Sequence, residues 1–158
     1  MKNSYLLSLL VFLTANASSA ELVYKTYVNG RYGFSIDYPD YLIPQGEAAN
    51  GDGQVFSSKD GEAELRVYAR ACIDDWDTTP AEFLKKAETE KVKEGRVISY
   101  RAKGKGFAVV SGTKGKQIYY DKLLTTGNWC TFFQWNYAVS NKEKYDEATR
   151  LIANSFKP

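Results

Sequence analysis

Histidine is absent from the 158 residues of this chain. That one absence excludes Ser-His-Asp and Cys-His catalysis, imidazole metal ligands and the usual general base near neutral pH. Any chemistry would have to rest on carboxylate, Lys, Tyr, Ser or Thr groups. Cysteine is scarce as well, with only Cys72 and Cys130. No Cys-x-x-Cys spacing exists to depress a thiol pKa, which argues against a redox-active pair. An excess of either charge is also missing: 21 Lys and Arg stand against 19 Asp and Glu, a formal charge of +2. A chain so close to neutral has no electrostatic case for nucleic acid or for a bare anionic membrane. There is no long Pro, Ser or Gly linker, no low-complexity tract and no internal repeat, so nothing marks a second domain.

What the chain does have begins at its N-terminus. Lys2 precedes the apolar run Tyr5–Leu13, and the small-residue exit Ala17-Ser18-Ser19-Ala20 precedes Glu21. This is the charged, apolar and small-residue grammar of a secretory signal peptide, with cleavage expected near Ala20. The apolar run is about half of the roughly 20 residues that span a bilayer, so no stable membrane insertion is expected after cleavage. No Cys stands at the cleavage site, which argues against a lipoprotein. Residues 21–158 then form a single domain of +1 charge, destined for the periplasm or the medium. In that oxidising setting Cys72 and Cys130 are expected to form a disulfide. Two separate buried thiols are the competing reading.

Along the mature part, Tyr27-Val28 and Tyr32–Tyr38 read as strands around an Asn29-Gly30 turn, the second ended by Pro39. An irregular stretch runs to Gly53. Gln54–Ser58 and Glu62–Cys72 read as a hairpin around Asp60-Gly61. Within it Ala63, Leu65, Val67, Ala69 and Ala71 face one way, and Glu64, Arg66, Tyr68, Arg70 and Cys72 the other. Thr79, Pro80 and Glu82 begin a helix with a capping box, and Gly95 ends it. Its apolar stripe is thin, Phe83, Leu84, Ala87 and Val92, as befits a helix lying on a sheet. Four strands follow, Arg96–Ala102, Phe107–Gly112, Gln117–Thr125 and Trp129–Val139. The last sets Trp129, Phe133, Trp135, Tyr137 and Val139 opposite Cys130, Phe132, Gln134 and Asn136. Cys72 and Cys130 thus share a sheet face if the two apolar rows share a core. Ser140 and Glu143 predict a second capping box opening the final helix. The order is β-β-β-β-α-β-β-β-β-α, and its short links predict an antiparallel meander with helices packed on it.

Several motifs are weaker than they look. Ser111-Gly112-Thr113-Lys114 spells Ser-x-x-Lys but lacks its partner motifs and falls in a strand-to-turn transition. The glycines at 104–106 and 112–115 match neither phosphate-binding pattern. Asn50–Gly53 and Asp74–Asp77 cluster oxygen ligands without the spacing of a calcium loop, so turn and cap are the expected roles. Twelve tyrosines are consistent with strand propensity as much as with a recognition surface.

Tyr32-Gly33-Phe34-Ser35-Ile36-Asp37-Tyr38-Pro39 resembles the opening strand of the PsbP-like fold group. That group includes the extrinsic P-protein of photosystem II, the eukaryotic Ran-release factor and many bacterial periplasmic proteins. Phe107–Gly112, Ile118–Lys122 and Ser155-Phe156 extend the likeness over most of the mature chain. The resemblance implies an α/β (α+β) fold, a mainly antiparallel sheet flanked by helices as an α/β/α sandwich. It implies binding or assembly roles and carries no catalytic set.

The expectation is therefore an exported, non-enzymatic protein that binds or helps assemble another envelope or secreted protein, as an adaptor or immunity-type protein. Neither cofactor nor metal is expected. The candidate binding surface is Arg66, Tyr68 and Arg70, with the Gly46–Gly53 loop beside it in sequence. A small-ligand protein with an aromatic pocket is the alternative, and a hydrolase using carboxylates among Asp37, Asp40, Asp52 and Asp74 is the third reading.

Overall fold

The computed structural model describes residues 22–73 and 79–158, without the side chain of Val92. The signal-peptide reading and the Asp74–Asp77 cluster lie outside the described residues. Nine strands are described: β1 (Tyr24–Val28), β2 (Ser35–Pro39), β3 (Leu42–Glu47), β4 (Gly53–Ser58), β5 (Ala63–Ala71), β6 (Arg96–Gly104), β7 (Phe107–Lys114), β8 (Gln117–Thr126) and β9 (Trp129–Ala138). Helix α1 (Pro80–Glu94) lies between β5 and β6, and α2 (Lys142–Ser155) follows β9.

Seven strands form one antiparallel sheet in the order β3-β4-β5-β9-β8-β7-β6, and β1 and β2 pair separately. The expected meander is therefore broken once. It runs β3-β4-β5 on one side and β6-β7-β8-β9 on the other, and β5 closes against β9 from Ala63↔Tyr137 to Ala71↔Trp129. Helix α1 occupies the link that this jump requires.

Both faces of the sheet are covered, each by one helix. On one face Leu65, Val67, Phe133, Trp135 and Tyr137 pack with β2 (Ile36, Tyr38) and with Tyr145, Ala148, Ile152 and Phe156 of the α2 segment. The Trp135 indole N–H donates to Thr149 Oγ1 at 2.9 Å, so the largest core side chain leaves no orphan donor. On the other face Phe83, Leu84 and Ala87 of α1 pack on Val110, Tyr119 and Ile98. This is the expected sandwich of a mainly antiparallel sheet between helices.

The α1 capping box forms as its sequence predicts. Glu82 N–H donates to Thr79 Oγ1 at 3.2 Å, and Thr79 N–H to Glu82 Oε2 at 3.0 Å. Gly95 ends the helix at φ 65°, the left-handed geometry that favours glycine.

Three local expectations are corrected. The stretch before Gly53 contains β3, which pairs Leu42–Pro44 with Phe56–Ser58 before its register shifts. Pro44 and Gly46 hid it, yet an edge strand tolerates both, because one row of its backbone groups needs no partner. The Asn29 turn is longer than two residues: Asn29 N–H donates to Phe34 O, and Tyr32–Phe34 lie outside β2. Ser140 does not cap α2. A 3₁₀ turn, Val139–Asn141, precedes the helix, and Asn141 stands at its N-cap position without a side-chain capping bond. Val139 N–H still donates to Lys116 O, which prolongs strand pairing through the site where the cap was expected.

Candidate binding face

Helix α1 packs mainly on β6, β7 and β8; its Phe83 reaches the Phe132 ring of β9 at 6.4 Å, and the rest of the β4-β5-β9 part of that face is left open. Strand alternation turns Glu64, Arg66, Tyr68 and Arg70 of β5 onto this strip, beside Cys130, Phe132, Gln134 and Asn136 of β9. The three residues of the predicted surface thus lie on one face. Arg66 and Tyr68 line a groove of about 600 Å³ together with Gln45, Asp52 and Gln134. Arg70 lies further along β5, its guanidinium 4.9 Å from the centroid of the Phe132 ring. Tyr68 stacks on the same ring at 5.0 Å. Arg66 is half exposed and meets Glu64 at 3.2 Å.

The far wall of the groove is the loop between β3 and β4, and its shape is fixed from outside. Asn29 is 1% exposed. Its carboxamide donates to Gly51 O and to Tyr27 Oη, both at 3.0 Å, and accepts from the Arg31 and Tyr32 backbone N–H groups. Burial, followed by the hydrogen bond to Glu47, pushes the Tyr27 hydroxyl up to about 12 despite the donation from Asn29. Asp52 is held in turn by Arg31 at 2.8 Å and the Tyr32 hydroxyl at 3.1 Å. Its backbone carbonyl accepts from Ala69 N–H on β5. Gly53 then enters β4 so close to β5 that a Cβ there would stand 2.0 Å from Val67 O.

Towards α1 the strip changes character. Arg96 donates to Asp121 Oδ2 at 2.6 Å, and its guanidinium lies 3.7 Å from the centre of the Tyr119 ring. Asp121 is 5% exposed, and burial raises its pKa against the opposing pull of Arg96. Its Oδ1 and the Arg96 Nε are both buried without a hydrogen-bond partner among the described residues. These two side chains, with Glu90, Glu94, Gln134 and Asn136, line a second cavity of about 440 Å³. Gln134 lines both cavities and joins them.

The disulfide closes the end of the same face. Cys72 and Cys130 are bonded with Cα atoms 5.2 Å apart, as their shared face predicts. The remaining candidates are dispersed. Asp37 sits on β2 and accepts from Thr26 Oγ1 at 2.6 Å. Asp52 is taken up by the loop just described, and Asp74 lies outside the described residues. Ser111 donates to Tyr119 O at 2.8 Å from within β7, while Lys114 reaches Glu94 of α1 at 2.7 Å. Ser111 and Lys114 face opposite sides of the sheet. Among the described residues no group of three acidic or thiol side chains is placed to hold a metal. None of their helices is long and apolar enough to cross a membrane.

Sequence reasoning missed Asn29, Arg96, Asp121, Gln134 and Asn136. The alternation of polar Gln134 and Asn136 against the aromatic row of β9 was a usable signal. The meeting of Arg96 with Asp121 had none, because it needs β6 and β8 placed two strands apart.

No protein-family model matches the sequence, and no curated protein matches it. Solved structures do. Cyanobacterial PsbP (CyanoP) from Synechocystis sp. PCC 6803 aligns over 92% of this chain and 98% of its own, with a TM-score of 0.61 at 14% identity. LpqN, involved in cell envelope biogenesis of Mycobacterium tuberculosis, aligns over 87% of this chain and 92% of its own, with a TM-score of 0.55 at 15% identity. The α/β/α sandwich assembled here is the PsbP-like fold.

Proposed function

We propose that this chain is an exported, non-enzymatic protein that binds another envelope protein through the strip between α1 and the β3–β4 loop. The observation that carries the reading is the open β4-β5-β9 part of a sheet face that α1 otherwise occupies and here reaches through Phe83. A groove of about 600 Å³ opens there, walled by a loop that Asn29 and Arg31 hold in place. A preformed wall lowers the ordering cost of association. The Lys2–Ala20 grammar supports export, and the fold likeness to LpqN, an envelope-biogenesis protein, is consistent with it.

The test is an affinity capture from the cell envelope with the oxidised protein, followed by mass spectrometry. One stoichiometric partner, lost from the Arg66→Ala/Arg70→Ala variant with its circular dichroism unchanged, supports the reading. Recovery of nothing above background removes it.

A second reading has its own observation. Between α2 and β6–β8 on the opposite face lies a cleft of about 550 Å³ lined by Tyr100, Tyr120, Tyr137, Thr149 and Arg150. This is the aromatic pocket between sheet and helix that a small-ligand protein would use. A compound that raises the melting temperature, and no longer does so in Tyr120→Ala, would favour it.

A further inference from the structure

We infer that the occupant of the strip is an extended polypeptide segment, uncharged where it crosses the Arg96–Asp121 pair, whose main-chain peptide groups are read by Gln134 and Asn136. The inference rests on the binding function proposed above and specifies its ligand. It begins with charge. The ionic groups that line the second cavity, and Arg66 on its β5 border, are already matched: Arg96 with Asp121 at 2.6 Å and Glu90 at 3.8 Å, Lys114 with Glu94 at 2.7 Å, Arg66 with Glu64 at 3.2 Å. A charge at the centre of the ligand would have to break the Arg96–Asp121 pair, whose side chains are 13% and 7% exposed, or be buried without a counter-charge, and both are costly. The exposed pairs at the border yield readily to a charge at either end of the ligand.

What the floor leaves open is neutral hydrogen-bonding capacity. No hydrogen bond engages the side-chain amides of Gln134 and Asn136 among the described residues, and each offers two donors and an acceptor. Beside Gln134 across the β8–β9 register lies Asp121, but its Oδ1 and the Arg96 Nε are sealed from the surface, so the two amides carry the open capacity. A peptide group carries one donor and one acceptor, which is the complement of this set.

The spacing selects an extended chain. Gln134 and Asn136 are two residues apart on one face of β9, about 6.6 Å, and an extended ligand repeats its peptide orientation at the same interval. Gln134 belongs to both cavities, so a ligand that touches it can continue from the Arg96–Asp121 end towards Tyr68 and the β3–β4 loop. A compact small molecule would use one cavity only. A segment running the length of the strip uses both, with α1 on one side and the loop on the other.

The test begins by panning displayed random peptides of about 12 residues, roughly 40 Å when extended, on the oxidised protein. Affinities of the selected peptides are then measured by calorimetry. The expected peptides have uncharged centres, and N-methylation of alternate backbone amides weakens them about tenfold or more, while methylation of the intervening amides does not. That scan leaves the protein untouched. The Gln134→Ala/Asn136→Ala variant should lose about tenfold or more at an unchanged melting temperature, and Gln134→Glu/Asn136→Asp should lose a similar amount with size retained. Failure to enrich any peptide, a consensus charged at its centre, indifference to N-methylation, or full affinity in both variants would each overturn the inference. An envelope partner that both variants still capture at full yield leaves the binding function standing and removes this account of its ligand.

Discussion

Asn29 donates a hydrogen bond to the carbonyl of Gly51 at 3.0 Å, tying the turn after β1 to the loop after β3. The contact is one of several made by a single buried carboxamide, and it holds the wall of the groove. Asn29→Ala would leave the Arg31 and Tyr32 N–H groups and the Gly51 carbonyl short of a partner. The expected cost is about 1–3 kcal/mol, read by urea denaturation. The seven-stranded sheet should survive, since no sheet hydrogen bond is lost. Hydrogen exchange should quicken in residues 48–52 first, and unchanged protection there would refute the tether.

Reduction separates the two strands' covalent link without touching their register. Cys72 and Cys130 are 58 residues apart in sequence. On the chain-entropy model their bond contributes about 4 kcal/mol by restricting the unfolded chain. Cys72→Ser/Cys130→Ser should therefore lower the urea midpoint and leave the far-ultraviolet circular dichroism near that of the oxidised protein. Identical midpoints with and without reductant would contradict this.

Asp121 makes a prediction with a definite sign. Its folded pKa lies above the ordinary 3.8 because burial outweighs Arg96. Between 3.8 and that raised value the folded protein holds more protons than the unfolded chain. Stability contributed by this group is thus complete below 3.8 and falls as pH rises through the folded pKa. Asp121→Asn should flatten that part of the stability–pH curve. A slope unchanged by the substitution would show that other groups carry it.

Gly53 tests the closeness of β4 to β5. A methyl at this position would meet Val67 O at 2.0 Å and Tyr68 Cα at 2.6 Å, both of them backbone atoms that cannot turn aside. Gly53→Ala should cost about 3 kcal/mol or more, at the high end for overpacking, because the strands must part. The groove floor would move with β5, so peptide affinity should fall in the same variant. A melting temperature equal to the parent's would show that the approach is looser than described.

Much of the fold was legible because the responsible signals are local. Thr79-Pro80 with Glu82 and Gly95 bounded α1 correctly, since capping acts within one turn of helix. Alternation on β5 and β9 placed Cys72 and Cys130 on one face, since strand side chains have a period of two. The failures share a cause. Leu42–Glu47 holds Pro44 and Gly46 and reads as loop, and its pairing with β4 at the sheet edge is what makes it a strand. Ser140 has the composition of a cap, but Val139 remains tied to Lys116, and the helix begins later.

The sequence by itself determined the helix boundaries at α1, the apolar and polar faces of β5 and β9, and the absence of imidazole chemistry. Each follows from side-chain type or from contacts within a few residues. Only the tertiary structure decided that β5 pairs with β9, that α1 reaches β9 through Phe83, and that Arg96 meets Asp121 beneath it. Those relationships join residues far apart in the chain. They depend on which strand edges pair to bury the most apolar surface, and no local pattern encodes that choice.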